Sequence, residues 1–365
     1  MLDNPVLLNK DREAIEIYRL LQFFNGGDKE EQSPPLIWPD YPHAVSPQEI
    51  LHNYDCPLTE IIVKDNILQK FEDKTEYIIN PKSGEIDYGS QWAAYRCCRV
   101  GRHHISVPLN MLYKGTPAYI IKHFHKLAVS KQELQKDRNV YGNRHIGERA
   151  EDVIYSFRDL CICLKKLSNR LYIPTWEEEI CGFESLYFSH WWEKYEFGSL
   201  GNVIAVDITY SEFVARCKNL YKLFEHLKVV SLKNIFKQLN MPKKNINSCG
   251  SLKLLGTICQ LSQIAKNNGD NLIDDFDNVI IHWDKDLRLN ELAPIFALNG
   301  LRTLDAHVGS KNSNNNRLNE ALKAYSIEPL STKEGWGLAL EKVYDRLAES
   351  LTQITQLIYD GYLEN

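Results

Sequence analysis

The last thirty or so residues constrain this chain most. Trp336, Leu340, Val343, Leu347, Leu351, Ile354 and Ile358 recur three and four residues apart. That spacing puts all seven on one stripe of an α-helix. So long an apolar stripe cannot face water alone and needs other helices to cover it. Upstream segments supply candidates. In SEFVARCKNLYKLFEHL, Phe213, Cys217, Leu220, Phe224 and Leu227 keep a helical period from Ser211. Ser231 and Ser248 precede further periodic segments, and Pro294 falls one turn into ELAPIFALNGLRTLDAHV, where a helix start tolerates it. The C-terminal part therefore reads as an α-helical bundle.

Earlier residues read differently. Asp11 to Phe24 is a plausible short helix that ends at Gly26–Gly27. TEIIVKD, TEYIIN and EIDYG are strand-like, with PKSG as a turn between the last two. WAAYRCCRV and HHISVPLNMLY flank Gly101–Arg102, a possible tight hairpin. From about residue 116 the pattern turns helical, in AYIIKHFHKLAV and in GERAEDVIYSFRDLCICLKKLSNRL. Thr175 to Glu178 resembles a capped helix start. Tyr187, Phe188, Trp191, Trp192 and Tyr195 then recur at helical spacing, a stripe that suits a core better than a ligand cage. The expected order is a mixed α/β recognition or regulatory domain over 1–145, a helical connector over 146–204 and a helical domain over 205–365. The fold class is α+β with a small sheet, followed by a bundle.

At 365 residues, two cores are the starting expectation. The apolar runs fall short of the ~20 residues a bilayer span needs, and the acid-bearing N-terminus lacks a secretory pattern. Nine cysteines, two of them the doublet Cys97–Cys98, suit reduced thiols in a cytoplasm. Zinc held by Cys97, Cys98, His103 and His104 is conceivable, but buried thiols and solvated imidazoles are the plainer reading, so no metal or cofactor is expected. The net charge of −5 hides a segregation. Residues 94–170 hold 15 basic and 6 acidic side chains, and 216–266 hold 10 and 1, whereas 267–365 hold 9 and 16. Such blocks can form a phosphate-facing surface or pair with one another.

Within LNGLRTLDAHVGS, Arg302 and His307 are separated by four residues. Arg96–His103, Arg99–His104 and Arg138–His145 fit the same loose pattern. Only Arg302–His307 sits at the C-terminal end of an expected bundle helix with the flank Leu298, Asn299, Leu301. Here the sequence resembles the HEPN family, helical nucleotide-binding and RNA-cleaving domains of prokaryotic defence systems and their eukaryotic relatives. The resemblance covers about 205–365. One position departs: the family usually has Asn, Asp or His directly after the arginine, and this chain has Thr303, which can still donate a hydrogen bond.

The resemblance implies a metal-independent endoribonuclease with RNA as substrate, a homodimer through the C-terminal bundle and a setting in anti-phage defence. The chemistry is consistent with the pair. An imidazole near neutrality can take the 2′-hydroxyl proton or protonate the leaving 5′-oxygen, while a guanidinium offsets charge on the phosphate. Five positions along a helix separate two side chains by about 140°, which suggests a composite site where two bundles meet. Asn299 and Asp305, each three residues from Arg302, and Thr303 are supporting candidates. Nucleic-acid grip falls to Lys228, Lys233, Lys237, Lys243 and Lys244, and to a cluster including Arg96, Arg99, Arg102, His103 and His104, where a trigger ligand or protein is the other option. Two alternatives stand beside this: a non-catalytic dimerisation or nucleotide-binding module, and a nucleic-acid-binding regulator.

Overall fold

A computed structural model describes residues 35–44, 60–72, 74–173, 180–182, 189–194, 197–304, 311–328 and 335–362, with side chains from 316 in the seventh of these. The expected helix over 11–24, the capped start at 175–178, and Tyr187, Phe188 and Tyr195 lie outside them. The chain divides into two compact units, 1–147 and 148–365.

The first unit is built on two antiparallel sheets. Strand β1 (Glu60–Lys64) is followed by a 3-10 turn over Asp65–Lys70, then by β2 (Ile78–Asn80), β3 (Glu85–Tyr88) and β4 (Trp92–Ala94). Next come β5 (Cys98–Arg99), β6 (His104–Pro108), helix α1 (Leu109–Leu112), α2 (Ala118–Leu127), β7 (Ala128–Val129) and α3 (Lys131–Tyr141). The larger sheet has the order β5-β6-β1-β7 and the smaller β2-β3-β4. In β1 the three middle residues, Ile61, Ile62 and Val63, are all buried, as is every residue of β6. A strand buried on both faces reads as a continuous apolar run, which is why EIIVK carries no alternation. The turn Pro81–Gly84 closes the β2–β3 hairpin. Gly84 has φ +81, and a Cβ there would lie 2.6 Å from Ile105. Residues 35–44 are anchored through Trp38, whose ring meets His125 edge-on at 5.0 Å, and through Asp40, which accepts from the Lys131 amide.

The second unit is helical. Its elements are α4 (Ile146–Arg170, with its first two residues in the preceding unit), α5 (Tyr210–Glu225), α6 (Val229–Gln238), α7 (Lys243–Ile246) and α8 (Ser251–Asn268). Then follow α9 (Phe276–Ile281), α10 (Ala293–Thr303), α11 (Lys311–Ala324) and α12 (Gly337–Tyr362). The apolar stripe of α12 is its core face: Leu340, Val343, Leu347, Leu351, Ile354 and Ile358 are fully buried. Its main partner is α8, and α10 packs on α5, α11 and α12.

The helix starts differ from the serines expected. Thr209, not Ser211, caps α5 by accepting from the Glu212 amide, while the Glu212 carboxylate accepts from the Thr209 amide. This reciprocal box needs its acid three residues on, which Thr209 has and Ser211 lacks. Helix α6 begins at Val229, so Ser231 lies inside it, and Gly250 rather than Ser248 precedes α8.

Close approach of α8 and α12 depends on Gly361. A Cβ there would sit 2.6 Å from Ser262 Cβ and 2.7 Å from its Cα. Gly361→Ala is expected to cost about 1–3 kcal/mol, since a helix backbone cannot yield as a side-chain tip can. Urea unfolding that shows no shift in midpoint for this variant contradicts the packing.

Candidate functional site

Arg302 lies in the last turn of α10, where the sequence pattern puts it. Leu298 and Leu301 on the same helix are fully buried and turn the helix so that Arg302 faces α5. Its Nη1 donates to Glu225 Oε1 at 2.7 Å, and its guanidinium carbon lies 4.1 Å from the centre of the Tyr221 ring. Tyr221 and Glu225 are one turn apart on α5, so their side chains share a face. Tyr221 is buried and Glu225 exposed, while the arginine side chain keeps 39% of its exposure. The result is a planar cation laid on an aromatic floor, held at one edge by a carboxylate and open to solvent elsewhere. Burial raises the Tyr221 phenol above its usual range, and the Arg302 charge pulls the other way.

The two anchors belong to opposite charge blocks. Glu225 is the sole acid of the basic stretch 216–266, and Arg302 is one of the bases in the acidic stretch 267–365. The pair joins the minority charges of the two blocks and leaves their majority charges as they are. Nothing local in the sequence marks the partners, because they lie 77 positions apart.

The other expected members are distributed as follows. Asp305 and His307 lie outside the described residues. Thr303 donates its hydroxyl to the Gly300 carbonyl at 2.9 Å and so turns back onto its own helix. Asn299 is half-buried, and the side chains that orient Arg302 among the described residues are Tyr221 and Glu225.

Compared with family models, with curated proteins and with solved structures, the chain matches none.

The basic residues expected to grip nucleic acid divide sharply. Lys228, Lys237, Lys243 and Lys244 are exposed along α6 and α7, and Lys233 is half-buried with its ammonium on the Asn247 carbonyl at 2.8 Å. In the first unit the expectation needs correction. Arg99, Arg102 and His104 are buried, the last two at 2% exposure, and cannot form an open surface. The reason is the β5–β6 hairpin, which folds these residues inward with β6. Arg99 donates to Asp65 Oδ2 at 2.5 Å and to the Pro81 carbonyl at 3.1 Å. Arg102 faces the Tyr141 ring, and His104 lies 3.4 Å from Asp137. His103 stands edge-on to the Tyr141 ring at 5.3 Å. Burial, with Arg102 adding, pushes its imidazole down to about 3, so it is neutral at pH 7. Arg96 alone of the five is exposed; its backbone adopts φ +58, and its amide donates to Glu85. Arg138, expected only as a weak partner of His145, donates to Asn143.

Proposed function

We propose that residues 205–365 form a HEPN-like bundle that cleaves RNA without a metal, as the effector part of an anti-phage protein whose first unit senses or recognises a trigger. The observation that carries the reading is the Arg302 guanidinium at the end of α10, 4.1 Å from the centre of the Tyr221 ring and still part-exposed to solvent. A guanidinium held by a ring and a carboxylate can receive a phosphate with little loss of conformational freedom. His307, five positions on, supplies the acid–base group, and a second bundle supplies the matching pair in a homodimer. The exposed lysines of α6 and α7 give the polyanion an electrostatic approach, beginning three residues beyond Glu225 in the chain.

The assay is cleavage of a labelled RNA in EDTA. The wild-type chain is expected to cut it. Arg302→Ala and His307→Ala are expected to leave it intact. Cutting that survives both substitutions, or stops on chelation, overturns the reading.

One observation favours a second reading, a non-catalytic dimerising or nucleotide-binding bundle. Arg302 already has a carboxylate and a ring as partners, which is also how a purely structural arginine is satisfied. That reading predicts nucleotide or RNA binding with no cleavage under any trigger, and Glu225→Gln then lowers stability without changing any turnover.

A further inference from the structure

The buried hairpin arginines remove one recognition surface from the first unit, but an aromatic one stands elsewhere on it. Tyr77, just before β2, and Tyr88, ending β3, stack at 4.4 Å with an interplanar angle of 18°. Beneath them Phe71 and Trp92 are buried, with their rings 5.0 and 6.0 Å from Tyr77. This floor holds the two tyrosines rigid. Tyr119, in the first turn of α2, is 60% exposed, and Lys70 links it to the floor, its Nζ lying over both the Tyr119 ring and, at 5.7 Å, the Phe71 ring. This exposed tyrosine presents ring surface to solvent beside the stack.

Positive charge lies directly on these rings. Lys70 Nζ is 5.1 Å from the centre of Tyr119, and Lys74 Nζ is 5.8 Å from that of Tyr77. Their contacts among the described residues are ring faces rather than carboxylates. Burial and then the neighbouring Lys74 charge pull Lys70 below the ordinary lysine range. Helix α2 extends the patch. Lys122, His123 and Lys126 recur with Tyr119 at three, four and seven residues and so share its face. Lys122 and Lys126 are exposed. The acids nearest in sequence are Glu72, Asp73 and the exposed Glu76, against Lys70, Lys74, Lys122 and Lys126 on this side of the unit.

The geometry points to a stacking platform for single-stranded RNA, with unpaired bases on Tyr119 and on the face of Tyr88 turned away from Tyr77, and the phosphates on Lys70 and Lys74. Each component selects for unpaired bases on a phosphate backbone. Ring faces accept any unpaired base, and duplex bases have no free face to offer. Lysines above the rings repel cationic ligands that aromatic cages otherwise take. A simple anion or acidic peptide has a use for the lysines but none for an exposed tyrosine. The site belongs to the first unit and Arg302 to the second, and the inference does not depend on cleavage at Arg302.

The test is fluorescence anisotropy of the full chain with a short labelled uridine-rich strand, in an Arg302→Ala background so that the probe is not consumed. Tyr119→Ala is expected to weaken binding about tenfold at fixed salt. Tyr119→Phe, which keeps the ring, is expected to retain it. Lys70→Gln combined with Lys74→Gln is expected to flatten the plot of log affinity against log salt by about 1.4, the share of two phosphates on a single strand. The same sequence as a duplex is expected to bind more weakly. Unchanged affinity in a folded Tyr119→Ala chain overturns the platform. So does duplex bound as tightly as single strand, or a loss confined to the lysine variant, which marks an anion surface without base recognition.

Discussion

Asp65→Ala is expected to destabilise the first unit by about 3–5 kcal/mol, because it strands a buried guanidinium. The Arg99 side chain is 2% exposed and that of Asp65 6%, with 2.5 Å between Nη1 and Oδ2. Burial raises the Asp65 carboxyl above its ordinary value and Arg99, with Arg102 behind it, opposes that shift, so the ionised form rests on those two guanidiniums. Arg99 Nε is held by the Pro81 carbonyl, but Nη2 is buried without a hydrogen-bond partner among the described residues. Removing Asp65 leaves the charge with one carbonyl for support. Replacing both partners is a milder change. The chain with Asp65→Ala and Arg99→Met is expected to recover most of the loss, since an apolar stem fills the space and no charge remains to solvate. Urea unfolding of the two single variants and the double variant closes the cycle. A cost below about 1 kcal/mol for Asp65→Ala, or a double variant no better than the single, contradicts a buried pair.

Arg302→Lys is expected to lose nearly as much RNA cleavage as Arg302→Ala, for which the loss is about 10²–10³-fold. Lysine keeps the charge. It cannot keep the arrangement, in which a flat guanidinium lies 4.1 Å from the Tyr221 centroid while its edge meets Glu225 at 2.7 Å. An ammonium is a point charge on a flexible stem and presents no fork to a phosphate. The ion pair itself is half-exposed on both sides and adds at most about 1 kcal/mol, so circular dichroism and the unfolding midpoint are expected to change little. Rate assays at saturating RNA separate the outcomes. Full activity in Arg302→Lys shows that charge alone suffices and that the ring and carboxylate only pack the helix end.

The stripe from Leu340 to Ile358 was readable because a 3.6-residue period is local, and it became the buried face of α12 without exception. The strands around Ile61, Ile79 and Ile86 were readable for the same reason, through β-branched runs and the PKSG turn. Helix starts were misplaced by one to three residues because capping depends on which hydroxyl reaches an amide three positions on, as Thr209 does with Glu212. The hairpin arginines depart furthest from what the sequence pattern suggests. A run such as RCCRVGRHH looks like a charged surface, yet its pairing with β1 through β6 turns Arg99 toward Asp65, 34 residues away. Tyr221 and Glu225 were likewise invisible, since only the fold brings α5 against α10. The platform at Tyr77, Tyr88 and Tyr119 is assembled from three segments, none of which is distinctive alone.

The most direct measurement is the chemistry of the cut ends of an RNA incubated with the full chain in EDTA. An imidazole and a guanidinium acting on a 2′-hydroxyl leave a 2′,3′-cyclic phosphate and a 5′-hydroxyl. Those ends are predicted for the wild-type chain and are predicted to be absent with Arg302→Ala and with His307→Ala. A 3′-hydroxyl with a 5′-phosphate, or cyclic ends that persist when both residues are gone, contradicts the account.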